Sequence, residues 1–304
     1  MIVAMLDHSI RKYLETVEGR YVDGVGFANR PGGKGRPDAS CWAVLALEAA
    51  GTRSDVVGRA RQALAKAQCS DGRICISPQH VEACWPTPLA ILAWHGAPEY
   101  EGPRNKAIQF LLQFEQVRTV NSGQTPLGHN GTIRGWPWIA ETHAWVEPTA
   151  YALMALRVCR YTNHSRTRDA VRLLLDRQLP GGGWNYGNTT VFGQELRPMP
   201  ETTGPALEAL AGMTPRDVVE KSIVYLRSRR EHLDTPMSLA WAILGLHAWQ
   251  EKPEQAQEQI LRVLAAQDQY GPCDTISLSL LLLAWQCQTG LVRSLEHTGS
   301  QDDK

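Results

Sequence analysis

Phenylalanine is scarce in this sequence: the 304 residues hold four, against ten tryptophans and eight tyrosines. With so little of the usual aromatic filler, the tryptophans must line something. Net charge is missing altogether, since 31 basic side chains balance 31 acidic ones. That excludes the basic footprint that a nucleic-acid partner requires to neutralise phosphates. No long apolar run occurs. The longest, Ile276 to Trp285, is about half of what a bilayer crossing needs. There is no leader pattern either, because Asp7, Arg11, Lys12 and Glu15 fall at helical spacing in the first residues. The seven cysteines include no CxxC pair, which excludes the commonest metal and redox spacings and fits a reducing cytoplasm. With 43% hydrophobic and 20% charged residues, the chain is expected to fold as a globular protein.

What is present is a repeat. An acidic residue, then Pro, Ser or Thr, then an apolar run ending in Ala-Leu or Ala-Trp recurs six times. Clear copies begin at Asp38, Glu147 and Glu201, and looser ones at Trp85, Asp234 and Asp274; in the Trp85 copy the acid is Glu82, one turn earlier. An amphipathic segment precedes several copies, as in residues 54–68, 168–178 and 253–267. The unit is therefore an amphipathic outer helix, a turn, and an inner helix that is apolar nearly all round. An inner helix of that kind must be covered on every side. Twelve such helices pack economically as two concentric rings. The expected fold is all-α, an (α/α)6 toroid occupying residues 1–290 as one domain, with residues 291–304 a polar, disordered tail.

The turns between outer and inner helices carry a signature of their own. Gln178-Leu-Pro-Gly-Gly-Gly-Trp184 follows the fourth outer segment, and Gln68 to Ile74 and Gln267 to Gly271 are partial copies. Glycine permits the sharp reversal, and the glutamine side chain can satisfy backbone groups left open at helix ends. On these residues the chain resembles the prenyltransferase and squalene-cyclase superfamily, whose repeats end in Gln, a few residues, Gly, any residue, then an aromatic. The resemblance extends from about residue 5 to residue 288.

A toroid of this connectivity gathers the inner-helix N-termini, and with them the acids, at one mouth. One reading of these acids is capping, since carboxylates offset the helix dipole there by about 0.3–1 kcal/mol each. Asp38 reads as an N-cap, and Thr235 as a cap before an N1 proline. Glutamate is a poor cap, which leaves Glu147 and Glu201 least explained. Asp234 is free for another role if Thr235 is the cap. Superfamily cyclases protonate an alkene with an aspartic acid and stabilise the carbocation on aromatic faces. The resemblance therefore marks Glu147, Asp234, Asp38 and Glu201 as catalytic candidates. It also marks Trp85, Trp136, Trp138, His143, Trp145, Tyr151, Trp184 and Trp241 as binding candidates, with core packing as the competing reading. Residues 134–145, a long insert with three tryptophans and a histidine, have the make-up of a lid or pocket wall.

Several superfamily motifs are missing. There is no Asp-x-Asp-Asp acid motif, and the length suits one barrel where those cyclases work between two. The Asp/Cys/His zinc set of protein prenyltransferases has no counterpart: Asp38 and Cys41 are spaced three apart, and His80 with Cys84 lacks a third ligand. No metal and no cofactor is expected. Arg30, Lys34 and Arg36 in a glycine-rich stretch are the best diphosphate candidates, although the stretch is no P-loop and reads first as a solvated basic loop. The expected partner is an isoprenoid or similar apolar molecule, acted on or bound in a tryptophan-lined central cavity, with room left for peripheral membrane contact or a partner subunit. The alternative is a non-catalytic toroid that binds a lipid or a protein.

Overall fold

The computed structural model describes residues 2–52, 55–116 and 128–298. Outer and inner helices alternate along the chain. The outer set is α1 (Ile2–Glu18), α3 (Asp55–Ala67), α5 (Glu101–Gln113), α7 (Ser165–Asp176), α9 (Arg216–Arg230) and α11 (Ala256–Ala265). The inner set is α2 (Pro37–Ala49), α4 (Pro86–Ala93), α6 (Val146–Val158), α8 (Pro200–Leu210), α10 (Pro236–Ala248) and α13 (Thr275–Gln286). A single turn, α12 (Gln267–Tyr270), leads into α13. Each inner helix packs on the next, from α2 through α4, α6, α8 and α10 to α13, and α13 packs back on α2. The ring is closed. Two short antiparallel ribbons, Tyr21–Val22 with Gly26–Phe27 and Thr190–Val191 with Gln194–Glu195, are the named strands among the described residues.

The two rings differ as their side chains require. In α10 every residue from Leu239 to His247 is buried, and in α13 every residue from Ser277 to Ala284. α7 buries only Arg166, Thr167, Ala170, Leu173 and Leu174, one stripe of an amphipathic helix. Burying each large apolar side chain is worth roughly 1.5–3 kcal/mol, so the inner ring holds most of the stabilising area. α8 and α10 come into backbone contact, and that needs two glycines. A Cβ on Gly204 would lie 2.2 Å from the Trp241 carbonyl oxygen, and one on Gly245 would lie 2.9 Å from Gly204 Cα. Among the described residues no single helix is long and apolar enough to cross a membrane.

In four of the six repeats a hydroxyl of the inner helix ties the turn to it. Ser40, Thr87, Thr149 and Thr203 accept from the backbone N–H of Phe27, Ile74, Trp136 and Trp184 at 2.8–3.0 Å. Two of the three turn glutamines bond backbone groups as expected, while Gln178 donates to the Ser222 hydroxyl at 2.8 Å, which itself accepts from the Gly183 N–H. Gln68 donates to the Gly72 and Pro103 carbonyls, and Gln267 accepts from the Cys273 N–H. A further glutamine, Gln116, belongs to this set: it accepts from Gly135 N–H at 2.6 Å and donates to the Ile133 carbonyl. The third repeat therefore has the same turn, opened by an insert between the glutamine and Gly135-Trp136.

The C-terminal segment corrects the expectation of a disordered tail from residue 291. Residues Leu291–Thr298 form a helix, α14, whose Leu291 and Val292 are each 1% exposed. It packs against α6, α8 and α10, and its first N–H groups meet the buried Glu208 carboxylate of α8, with Val292 N–H to Oε1 at 2.9 Å. Only residues 299–304 of the expected tail lie outside the described residues.

Candidate functional site

Three aromatic rings meet on the inner helices. Trp42 of α2 lies 5.9 Å from Tyr151 of α6 and 5.6 Å from Trp241 of α10, both edge-on, and Tyr151 stacks on Trp241 at 6.0 Å. Trp138 extends the cluster to Tyr151 at 6.4 Å, and Trp85 extends it to Trp138 at 5.5 Å. α2 and α6 stand on opposite sides of α4, and α10 joins the far side of the ring. A contact between these three helices therefore crosses the central axis. Trp42, Tyr151 and Trp241 are buried, while Trp85 and Trp138 are half-buried.

The acids stand one turn nearer the mouth. Asp38 precedes Trp42 by four residues and Glu147 precedes Tyr151 by four, spacing that puts acid and ring on one helix face. Their partners differ. Asp38 accepts from Arg36 Nε at 3.0 Å and Nη2 at 2.6 Å, and from the Ala39 N–H. It is the second residue of α2, not the N-cap expected of it; the N-cap position is Arg36, its ion-pair partner. Glu201 accepts from the Ser238 hydroxyl at 2.9 Å and from the Tyr186 phenol at 3.5 Å. Glu147 is half-buried and has no hydrogen-bond or ion-pair partner among the described residues. Burial pushes its carboxyl up to about 8, and the neighbouring Glu201 adds to the rise.

Asp234 does not join this group. It is exposed and borders a separate cavity of about 690 Å³ with Arg30, Tyr270 and Asp274. Thr235 does occupy the N-cap position, with Pro236 at N1, but its hydroxyl makes no capping bond. Asp274 is a true cap, accepting from Ser277 N–H at 3.0 Å. Trp136 and Trp184 also lie elsewhere, and for a shared reason. Each is the aromatic of a turn motif, wedged between outer and inner helices: Trp184 donates Nε1–H to the Leu174 carbonyl at 2.6 Å, and Trp136 stacks under the Arg166 guanidinium at 4.1 Å. Both are buried core residues. His143 is exposed beside Trp145, with ring centroids 4.6 Å apart, on the insert. The last residue of that insert, Trp145, lies against Gly187 of the segment before α8. Val146, the first residue of α6, donates its N–H to the Tyr186 carbonyl at 2.9 Å, so the two segments form one wall beside Glu147.

No protein-family description matches this sequence, and no curated protein is detectably similar to it. Solved structures do match. A type II terpene cyclase from Scytonema, MstE, in an apo variant form, superposes with a TM-score of 0.57 at 15% identity, over 93% of this chain and 97% of that one. The fold is terpene-cyclase-like. Another MstE variant, in complex with its substrate geranylgeranyl dihydroxybenzoate, gives a TM-score of 0.56 at 14% identity, covering 98% of this chain and 97% of that one. A protein from Actinoplanes gives 0.57 at 16% identity over 96% and 99%. The overlap corrects one expectation drawn from length. A terpene-cyclase chain is matched almost end to end by this single toroid, so two stacked barrels are not a requirement for that class.

Among the described residues no three His, Cys, Asp or Glu side chains converge. Asp38 is engaged by Arg36, and burial raises the Cys41 thiol well above its ordinary value, with Asp38 adding to the rise. His80 Nδ1 is paired with the Ser77 hydroxyl at 2.9 Å, and burial holds the Cys84 thiol up at about 11. Repeat spacing singled out the acids, and the resemblance singled out the rings of Tyr151 and Trp241. Neither singled out Ser238 or Tyr186, which bond Glu201 from 37 and 15 residues away.

Proposed function

We propose that this chain is a terpene-cyclase-like enzyme that isomerises an isoprenoid or similar apolar chain at the mouth of the toroid, with Glu147 as the proton donor. The observation that carries this reading is the unpartnered Glu147 carboxyl, held up at about 8, one turn above an aromatic cluster. At neutral pH such a group keeps its proton, as a general acid must. The alkene π pair takes that proton, leaving a carboxylate on Glu147 and a carbocation on the substrate. A second alkene of the same chain then supplies the electron pair that closes a ring. Loss of a proton from the final cation to Glu147 restores the acid, so the net reaction is an isomerisation. The ring faces of Trp42, Trp85, Trp138, Tyr151 and Trp241 stabilise the cation by roughly 2 kcal/mol where water is excluded. Glu201 disfavours the Glu147 carboxylate, and that favours return of the proton.

A non-catalytic binding role is the second reading. Its support is that Trp42, Tyr151 and Trp241 fill the axis, which limits a ligand to the space above the rings. One experiment separates the two. The protein is incubated in heavy water with a panel of linear polyprenyl compounds, prenylated hydroxybenzoates included. The enzyme reading expects a cyclic isomer carrying a single added deuterium, and none from Glu147→Gln. Recovery of every compound bound but unchanged would favour the binding module.

The mouth also suits apolar substrates by its surroundings. Val25, Val81, Ile139, Phe192 and Tyr270 are exposed, and each lies in a segment leading from an outer to an inner helix. These segments border the mouth, and we read them as the face that meets a membrane surface when substrate is taken up.

A further inference from the structure

Cys69 and Cys75 form no CxxC pair in the sequence, yet the turn of the second repeat brings their sulfurs together. The two Sγ atoms lie 3.5 Å apart. The turn backbone holds them there. Cys69 N–H donates to the Arg73 carbonyl and Gly72 N–H to the Cys69 carbonyl, each at 2.9 Å, and Ile74 N–H donates to the Thr87 hydroxyl of α4 at 2.9 Å. Gly72, at a φ of +94°, packs so closely on α5 that a Cβ there would lie 2.2 Å from the Lys106 carbonyl oxygen. A disulfide is about 2.05 Å long, so closing one asks for only about 1.5 Å of side-chain movement.

The two thiols differ in access. Cys69 is half-buried beside the exposed Ser70 and Asp71, whereas Cys75 is buried. Cys75 donates its S–H to the Val81 carbonyl at 3.2 Å, which leaves a sulfur lone pair for Cys69. Burial, with Cys69 alongside, raises the Cys75 thiol to about 12, so it keeps its proton at neutral pH. An oxidant therefore meets Cys69 first, with a second thiol in place to resolve the product. The remaining cysteines lack this arrangement. Cys41, Cys84 and Cys287 are buried, and Cys159 and Cys273 are half-buried with no sulfur beside them.

We propose that Cys69 and Cys75 are a peroxide-sensitive thiol pair that closes reversibly to a disulfide across the second repeat turn. The Cys69 thiolate attacks one oxygen of hydrogen peroxide and the O–O bond breaks. Cys69 becomes a sulfenic acid, and the hydroxide that leaves takes up the proton the thiol gave. Cys75 then attacks the Cys69 sulfur: the S–S bond forms, the S–O bond breaks, and the hydroxyl leaves with the Cys75 proton as water. Two thiols and one peroxide give one disulfide and two waters. Closure also takes the donor from the Val81 carbonyl, in the segment whose Glu82 carbonyl accepts from Ala140 N–H of the insert at 2.8 Å. The pair does not depend on the role given to Glu147, which neither cysteine contacts.

The reduced full-length protein is treated with hydrogen peroxide, the excess is removed with catalase, and the thiols are alkylated with iodoacetamide in denaturant. Two of the seven thiols should escape alkylation. A tryptic digest should join residues 67–73 to residues 74–104, with tandem fragmentation placing the bond on Cys75 and not on Cys84. Dithiothreitol should restore both thiols. Cys75→Ser should stop at a sulfenic acid on Cys69 that dimedone captures, and Cys69→Ser should lose the disulfide and leave Cys75 unmodified. Cys84→Ser should react as the wild type does. Full alkylation after peroxide would overturn the pair. So would a bond that joins other cysteines or two chains, or a Cys69→Ser variant that loses thiols as fast as the wild type.

Discussion

A carboxyl group that is half-buried and unpartnered beside another acid is costly to ionise, and Glu147 is in that position. Of the other rim acids, Asp38 has Arg36, Glu201 has Ser238 and Asp274 has the start of its own helix. The half-buried Glu82 and the exposed Asp234 share with Glu147 the lack of a side-chain partner among the described residues. Capping accounts for Asp274 and not for Glu147, which lies inside the first turn of α6 and whose carboxyl accepts no backbone N–H among the described residues. If Glu147 is the acid, its protonated form is the active one. Turnover should then be constant at neutral pH and fall as pH rises through about 8. Glu147→Gln should abolish turnover, a loss of at least a hundredfold, with the aromatic cluster intact by near-ultraviolet circular dichroism. Residual cyclisation in that variant, or a profile flat to pH 10, would remove Glu147 from the role. The sequence pointed equally to Asp234, whose spacing in the repeat is similar. Only the structure separates them, because burial depends on the wall built by the two inserts and Asp234 lies beyond it.

At the scale of the helix, the repeats were legible wherever one helix carries its own signal. Inner helices are apolar all round and outer ones amphipathic, and each is recognisable without its neighbours. What was not legible depends on partners distant in sequence. Gln116 is separated from Gly135-Trp136 by an insert that breaks the spacing of the turn motif. α14 has few apolar residues, and it is placed by Glu208, which lies on α8. Two predictions belong here. Thr203 accepts the Trp184 N–H in the core, so Thr203→Val strands a buried donor and should lower stability by about 1–3 kcal/mol in urea unfolding. Loss of under half a kilocalorie would show the tie to be dispensable. Glu208 is 1% exposed, and burial raises its carboxyl from 4.5 to about 7 against the pull of Val292 N–H and Arg157. A carboxyl raised on folding favours the folded state below its unfolded value. That contribution is lost as pH climbs from about 4.5 to about 7. Glu208→Gln should therefore gain on the wild type across this window, by up to about 3 kcal/mol at pH 8 and little at pH 4. Parallel stability curves for the two proteins would show that Glu208 stays charged in the fold.

For the whole molecule, the closed ring sets both what is covered and what is left open. Six inner helices bury one another so completely that the apolar surface remaining for function lies in the segments leading into them. Those segments present Phe192, 94% exposed at the tip of the Thr190–Glu195 ribbon, and Tyr270, 80% exposed in α12. Val218 and Val224, exposed on α9, belong to the outer wall and serve as the comparison. A chain with zero net charge gains little general attraction to a charged bilayer, so attachment through this face should rest on apolar insertion. Neutral phosphatidylcholine vesicles should therefore suffice to sediment the protein. Inserting one phenylalanine is worth roughly 1.5–3 kcal/mol, so Phe192→Asp should weaken binding by about tenfold or more. Val224→Asp, on the outer wall, should leave it within twofold. Equal binding by both variants would separate the exposed rim from membrane contact, and substrate would then have to reach the mouth from solution or from a carrier.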